Sequence, residues 1–134
     1  MNIEHFDDLL RIAREQPEPQ QLLLVFAGAE LPDDASAAQR AGFAAGVGGA
    51  LVPLMCVDKP AEALAGFAAL CDEAAAAGPP WAIVFCAALP GRGTQPPPAA
   101  DVDAALQRMV ESIRSGRLQG LLPFNRDGEP VQLD

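Results

Sequence analysis

Apolar residues along this chain follow two spacings that alternate from one segment to the next. Segment 3–16 repeats them at intervals of three and four, which predicts an amphipathic helix with Asn2 as an N-cap. Segment 21–27 is a short, continuous apolar run, typical of a strand covered on both faces. Proline disfavours helix at its own position and at the one before it, so the Pro-rich connector ends the first helix by residue 20.

The alternation continues through the middle of the chain. A short helix is predicted over 37–45, followed by a second strand over 50–57. Pro53 indicates that this strand lies at a sheet edge or carries a bulge, because proline has no N–H for a ladder hydrogen bond. The next helix is predicted to begin at Pro60 and to end at Gly78.

The last third of the chain shows the clearest helix. A third strand is predicted over 81–88, and the Pro-rich stretch 91–100 is expected to be an extended surface loop. Asp101 is expected to cap a helix that ends at Gly116, and a fourth strand follows at 120–124. Two further features are predicted beyond it: a turn at 127–128 and a short strand at 131–133.

The apolar segments also repeat one another. The run that ends in Leu-Pro at 24–32 is echoed at 83–90, and the segment 51–54 is echoed at 121–124. We therefore predict a single domain (1–134) of the α/β or α+β class, with helices packed on one mixed sheet of four to five strands, built from two similar β-α-β halves. Each half is either a parallel crossover or an antiparallel pair with a helix in its loop. The expected divisions are an N-terminal helix and connector (1–20), a first unit (21–60), a connecting helix (61–80) and a second unit (81–134) that contains the loop 91–100.

The charge and hydropathy of the chain argue against a nucleic-acid partner and against a membrane span. The formal net charge is -9, and Lys59 is the only lysine. Because phosphate binding needs a basic patch, no nucleic-acid partner is expected. Two uncharged stretches, 41–57 and 74–91, are rich in Ala and Gly and interrupted by prolines, so neither predicts a membrane span. Residues 1–20 lack the pattern of a secretory signal, and we expect a cytoplasmic protein.

Residue types that carry catalysis or bind metals are few and scattered. The three cysteines, Cys56, Cys71 and Cys86, form no CxxC pair, so a zinc site is not indicated and three reduced, buried thiols are expected. His5 is the only histidine and is expected at the surface or at a helix end rather than in a catalytic triad. No glycine group matches a nucleotide-binding loop. The sequence predicts no catalytic residue, metal or cofactor, and it favours a protein that is not an enzyme.

The remaining candidates for a site are charged residues at the predicted strand ends. In open α/β sheets, ligands bind beyond the carboxyl ends of strands, and a carboxylate beside a basic group can hold a small anion or polar ligand. The alternative interpretation is that they are solvated turn residues with weak pairing. The candidate ligand-binding residues are Asp58, Lys59, Arg92, Arg126 and Asp127.

Two functions follow from these observations. The leading hypothesis is a non-enzymatic module that works through a protein partner or as a homo-oligomer, because catalytic motifs are lacking and the strands are apolar and interrupted by prolines. The alternative hypothesis is a binder of small polar ligands or anions, or an enzyme acting on them, that uses the charged strand ends.

Four segments of the chain together resemble one known protein family. Residues 1–10, 26–32, 49–59 and 122–124 resemble a family of small bacterial proteins labelled "ribonucleotide reductase subunit alpha", and the resemblance spans essentially the whole chain. Enzymes of that class use a large barrel and a redox cysteine pair, for which this chain has neither the length nor the residues. The resemblance therefore implies a small cytosolic protein and carries over no catalytic residue. The segment 51–54 before a helix is more faintly similar to SseB-like α+β domains.

Overall fold

The structure, a computed structural model, describes residues 3–30 and 50–132. The predicted helix at 37–45 lies outside the described residues. The elements, in chain order, are α1 (Phe6–Arg14), β1 (Gln20–Glu30), β2 (Ala50–Pro60), a short 3-10 turn (Ala61–Ala63), α2 (Phe67–Ala77), β3 (Ile83–Pro90), α3 (Ala99–Arg114) and β4 (Leu122–Phe124).

The four described strands form one sheet in the order β2-β1-β3-β4. All three pairings are antiparallel. With three α-helices beside this sheet, the fold is α+β, as predicted. Of the two pairings left open by the sequence, the antiparallel one is found, and no parallel pair occurs among the described strands where a mixed sheet was expected. The likeness of the two halves involves residues 31–49, which lie outside the described residues.

β1 is buried on both faces, as its continuous apolar run predicts. Alternate side chains of a strand point to opposite faces. Leu22, Leu24 and Phe26 therefore pack in one core with α1 and α2. Leu23 and Val25 pack in a second core with α3. The sheet is thus the middle of three layers, and each fully buried side chain of this size contributes about 1.5–3 kcal/mol.

Aromatic rings build the core between the sheet and the two helices α1 and α2. The Phe6 ring meets the Phe124 ring edge-on at a centroid distance of 5.6 Å. Phe26 and Trp81 are 5.0 Å apart in the same edge-to-face manner. Phe67 brings α2 into contact with Phe6 at 5.3 Å. Such pairs add about 0.5–1.5 kcal/mol each beyond the area they bury.

Three helix starts differ from the prediction. His5, not Asn2, is the N-cap of α1, and its ring accepts the N–H of Asp7; Asn2 itself lies outside the described residues. α2 begins after Gly66 rather than at Pro60. α3 has Pro98 as its N-cap, so Asp101 lies in its first turn instead of capping it.

The late start of α2 has a physical cause. The residues after Pro60 form a short turn whose Ala61 and Leu64 are buried in the core. Arg14 of α1 donates hydrogen bonds to the carbonyls of both these residues, which holds the chain away from helical geometry. Asp7, also from α1, then accepts the first N–H of α2, from Phe67, at 2.8 Å. A neighbouring helix therefore supplies the cap that α2 itself lacks.

The end of the described chain forms a turn rather than a strand. The predicted turn at Asp127-Gly128 is present, with the Gly128 N–H donating to Asn125. The strand predicted over 131–133 is wrong for residues 131 and 132, which are not in a strand. Val131 instead donates one hydrogen bond to the carbonyl of Pro123 at 3.0 Å.

Candidate functional site

The charged residues predicted as a ligand site lie at two ends of the sheet. β2 and β3 both run antiparallel to β1 and end together, because Gln21 stands opposite Pro60 in one pairing and Leu89 in the other. Asp58, Lys59 and Arg92 are therefore at that end.

Arg126 and Asp127 are at the other end of the sheet. They follow β4, which runs antiparallel to β3 and finishes with Phe124 opposite Val84, near the start of β3. Arg126 lies over the Trp81 ring at 5.5 Å, a cation–π contact. The structure therefore does not bring the five candidate residues together.

The three candidates that share one end also point in different directions. Asp58 accepts a hydrogen bond from Gln21 at 2.7 Å. Lys59 lies on the opposite face of β2 and forms an ion pair with Glu73 of α2 at 2.8 Å. Arg92 belongs to a tight turn closed by two backbone hydrogen bonds with Gln95. The Arg92 turn and the following prolines line an exposed groove of about 550 Å³.

His5 has a structural role that uses both of its ring nitrogens. Nδ1 accepts the Asp7 N–H at 3.0 Å, and Nε2 lies 3.1 Å from the Asp127 carbonyl. A backbone N–H only donates and a carbonyl only accepts, so these two contacts fit the tautomer that carries its proton on Nε2. His5 therefore joins the start of α1 to the turn after β4, and its expected place at a helix end is confirmed.

The cysteine thiols are held in their protonated form. Burial raises the pKa of the Cys86 thiol, which lies entirely inside the core. Burial also raises the pKa of Cys71 and of Cys56, with the Arg126 and Arg114 guanidinium groups acting in the opposite direction on each. A raised pKa disfavours the nucleophilic thiolate.

The predicted burial of the thiols holds for only one of the three. All three cysteines are free; Cys86 is buried, Cys71 is half-buried and Cys56 is exposed on β2. No group of three or more His, Cys, Asp or Glu side chains within 3–30 and 50–132 is arranged to hold a metal ion. Within the same residues, no helix has the length and apolar character needed to cross a bilayer.

The outer edge of β2, the side that faces away from β1, is of interest for its backbone N–H and C=O groups. One hydrogen bond gives the direction of the backbone groups: the Gly91 N–H donates to the Pro19 carbonyl at 2.8 Å. These two residues continue the β1–β3 register by one step beyond Gln20 and Pro90, so they stand directly opposite each other. Hydrogen-bonded pairs alternate along an antiparallel ladder. Odd-numbered residues of β1 therefore direct their N–H and C=O groups to β3, and even-numbered ones direct theirs to β2.

The same alternation sets the direction of each group in β2. Met55, Val57 and Lys59 stand opposite even-numbered residues of β1, so their backbone groups bond to β1. Cys56 and Asp58 lie between them and direct their N–H and C=O groups outward. No strand in the described part of the chain pairs with this outer edge.

Prolines bound this outward-facing segment on both sides. Pro53 and Pro60 stand opposite the odd-numbered residues Ala27 and Gln21, so the position of each missing N–H is also outward. Proline is tolerated in sheets at such edge positions because no ladder bond is lost. A register shift between Phe26 and Ala27 adds a bulge next to Pro53, which confirms the predicted edge or bulge position. In the regular ladder between the bulge and Pro60, the residues whose N–H and C=O groups both face outward are thus Cys56 and Asp58.

The side chains near this segment offer both apolar surface and charge. Cys56 stands opposite Val25, so its side chain lies on the α3 side of the sheet. There it lines an exposed groove of about 500 Å³ together with apolar and charged residues of α3: Leu106, Val110, Arg114, Asp103 and Glu111. The other face carries Met55 and Val57, which are half-buried against the core with α1 and α2.

Comparison of the chain with protein-family models, with curated proteins and with solved structures finds no match.

Proposed function

We propose that this protein is a non-enzymatic interaction module that binds another polypeptide by adding its strand to the outer edge of β2. The observation that carries the proposal is the pair of outward-facing residues Cys56 and Asp58, whose backbone groups have no partner strand among the described residues. A strand edge of this kind is a template for an added strand, with affinity from main-chain hydrogen bonds. The expected setting is the cytoplasm.

The length and limits of the edge support a specific contact. β2 has 11 residues. An edge of this length with apolar side chains is prone to unlimited pairing, which natural proteins restrict with prolines, bulges and charges. Pro53, the bulge beside it and Pro60 leave an opening of a few residues between them. A short partner strand fits this opening, whereas a long ladder does not.

The roles of the charged residues also favour binding over catalysis. Asp7 accepts the first N–H of α2, and Arg14 donates to two carbonyls of the turn before it. Lys59 pairs with Glu73, and the His5 ring contacts two backbone groups. These side chains are used to join elements of the fold, which supports a module without chemistry of its own.

Site-specific photo-crosslinking in cells tests the proposal. A benzophenone-bearing amino acid replaces Glu62, an exposed residue just after β2, or Gln119, an exposed residue after α3 that serves as the control position. We expect a discrete adduct from position 62 and none from position 119. Cys56→Pro removes one outward N–H and should abolish the adduct, whereas Cys56→Ser keeps that N–H and should retain it. An adduct that is unchanged by Cys56→Pro would contradict strand addition.

A further inference from the structure

We infer that the added strand is β2 of a second copy of this chain, paired antiparallel about a twofold axis at Val57. This inference rests on the proposed function, since it names the partner at the same edge. A twofold interface is self-complementary, so each residue at position i meets position j and the reverse. A pair of this kind requires that the backbone groups and the charges of one β2 strand match those of the other.

Backbone groups select one position for the axis. Only residues with outward-facing groups can form the hydrogen-bonded pairs of a new ladder. With the axis at Val57, Cys56 stands opposite Asp58 of the second copy, and Asp58 stands opposite its Cys56. Every outward N–H and C=O of these two residues is then paired in both copies.

Shifting the axis by one residue loses this match. An axis at Cys56 sets Asp58 against Leu54, the extra residue at the bulge, where the ladder is irregular. An axis at Asp58 places two carboxylates directly opposite each other, which is unfavourable across strands. It also sets Cys56 against Pro60, which has no N–H to donate.

Charge on the α3 side of the sheet fits the Val57 axis. Asp58 stands opposite Leu23 and Cys56 opposite Val25, so both side chains are on this side. Arg114 borders the same groove as Cys56 and is close enough to oppose the rise in its pKa. In the proposed pair the Asp58 carboxylate meets Cys56 of the second copy and therefore comes beside that copy's Arg114. Asp103 and Glu111 also line this groove, and Arg114 lies 3.7 Å from Glu111. The pairing therefore places Asp58 beside the basic residue of the groove, once on each side of the axis.

The other face of the pair is apolar at its centre. Val57 stands opposite Val57 of the second copy in a pair that is not hydrogen-bonded, where Cα atoms approach to about 4.5 Å. Met55 faces Lys59 of the second copy, whose methylene stem can cover apolar surface while its ammonium stays paired with Glu73. Pro60 and the bulge end the new ladder on both sides, so the assembly closes as a dimer instead of growing.

A disulfide placed at the axis tests the geometry. Val57→Cys is made together with Cys56→Ser, and mild oxidation is followed on a non-reducing gel. Disulfides need Cα separations of about 4.4–6.8 Å, which the residue-57 pair meets. Met55→Cys with Cys56→Ser is the matched control on the same face, because its two copies are offset by four residues, about 13 Å along the strand direction. We expect a covalent dimer from the first protein and none from the second or from Cys56→Ser alone.

A charge swap tests the contact predicted beside the axis. Asp58→Arg and Arg114→Glu should each weaken the dimer about two- to five-fold in sedimentation equilibrium, as expected for an exposed ion pair. The two changes combined in one chain restore opposite charges across the axis and should return the affinity to within about two-fold of the original. Equal weakening that is only additive in the combined protein would contradict the register.

The two proposals fail in different ways. If residue 57 gives no disulfide while the adduct at position 62 contains a different protein and depends on the Cys56 N–H, the self-pairing is wrong and strand addition stands. If the adduct does not depend on that N–H, strand addition is wrong as well. A disulfide from Met55→Cys in place of Val57→Cys would overturn the axis position.

Discussion

The two edge strands of the sheet, β4 and β2, differ in whether their outward backbone N–H and C=O groups find partners within the described chain. β4 is only three residues long, and the chain returns along it: Val131 donates to the Pro123 carbonyl, and Asn125 donates to Glu129 at 2.9 Å. β2 is 11 residues long, and no described strand returns along it. One edge is satisfied within the chain, and the other keeps outward backbone groups that a partner can use.

Prolines mark both edges in the same manner. Phe85 stands opposite the odd-numbered Val25, so its backbone groups bond to β1 and not to β4. Pro123 stands opposite Phe85, so the position of its missing N–H faces away from β3, and its carbonyl accepts the Val131 N–H. Pro53 and Pro60 obey the same rule on β2. An outward-facing proline costs no ladder bond, whereas an inward one would remove a bond to the neighbouring strand. Proline position therefore reports which direction each backbone group of an edge strand faces.

The edges also differ in how firmly they are anchored. Phe124 of β4 is fully buried and touches Phe6 of α1. The turn after β4 is held by the Phe6 N–H, which donates to Gly128 at 2.8 Å, and by the His5 ring. On β2, Val57 is only half-buried. The β4 edge, which is closed by the returning chain, therefore contributes a fully buried side chain to the core. The β2 edge, which is open, contributes only half-buried ones.

The largest expected effect is the loss of the β4 anchor. Phe124→Ala removes a fully buried ring and leaves a cavity beside Phe6, so we expect a loss of about 3–5 kcal/mol in the free energy of unfolding. Val57→Ala, on the same side of the sheet but at the other edge, should cost about 1 kcal/mol because the side chain is half-buried. Urea unfolding of both variants gives the comparison. Equal losses would show that the two edges are anchored alike.

Proline substitution measures the direction of the backbone groups in β2. Val57→Pro removes an N–H that bonds to β1 and leaves a buried carbonyl unpaired, so we expect a loss of about 2–3 kcal/mol. Cys56→Pro removes an outward N–H and should cost less than about 1 kcal/mol. Thermal and urea unfolding at low protein concentration separates the two. A larger loss at residue 56 than at residue 57 would invert the assigned alternation and remove the basis of both proposals.

Features that depend on local pattern were predictable from the sequence. The continuous run of β1 predicts burial on both faces, and Pro53 predicts an edge or a bulge. The periodic apolar face of α3 is likewise found, with Val102, Ala105, Met109 and Ile113 buried.

Strand order and direction were not predictable, because they depend on which faces pack together across the whole chain. This is why the sequence does not show that the charged strand ends are divided between two ends of the sheet. β4 runs opposite to β2 and β3, so Arg126 and Asp127 follow their strand to the other end of the sheet.

Helix starts were missed where a distant residue supplies the cap. Ser, Thr, Asp and Asn are the usual N-caps, so the local pattern favours Asn2 over His5. A signal for it is present: Asp8, three residues on, completes a capping box by accepting the His5 N–H at 3.1 Å. The start of α2 has no such local signal, because its cap is Asp7, 60 residues earlier in the chain.

The turn that closes the β4 edge should be sensitive to one added methyl group. Gly128 has φ of 80°, and a β-carbon there would overlap the His5 ring. Gly128→Ala therefore adds the strain of a left-handed residue to the loss of the His5 contact, about 2 kcal/mol in total. Gly116→Ala is the matched control, since its φ is 75° and nothing lies near its β-carbon. We expect it to cost about 1 kcal/mol, and equal costs in urea unfolding would show that the His5 contact does not stabilise this edge.

The last prediction compares the thiol of Cys86, which lies next to β4, with the thiol of Cys56 on β2. Cys86 stands opposite Leu122 of β4 and is fully buried, and burial raises its pKa, whereas Cys56 is exposed and Arg114 opposes the rise. An unfolded thiol ionises at its ordinary pKa of about 8.5. Above that pH the folded chain retains a proton that the unfolded chain releases, so the stabilisation is complete at lower pH and falls as pH rises.

For the Cys86 thiol the expected fall is about 1.4 kcal/mol per pH unit above its ordinary pKa, and urea unfolding between about pH 8 and pH 10 measures it. Cys86→Ala lowers the stability at every pH because it leaves a small cavity, but it should flatten most of this slope. Cys56→Ala should leave most of the slope in place, because the thiol it removes lies at the exposed edge. If the two variants flatten the slope equally, the thiol at the β2 edge is as shielded from water as the one behind β4, and the edge treated as open is covered in solution.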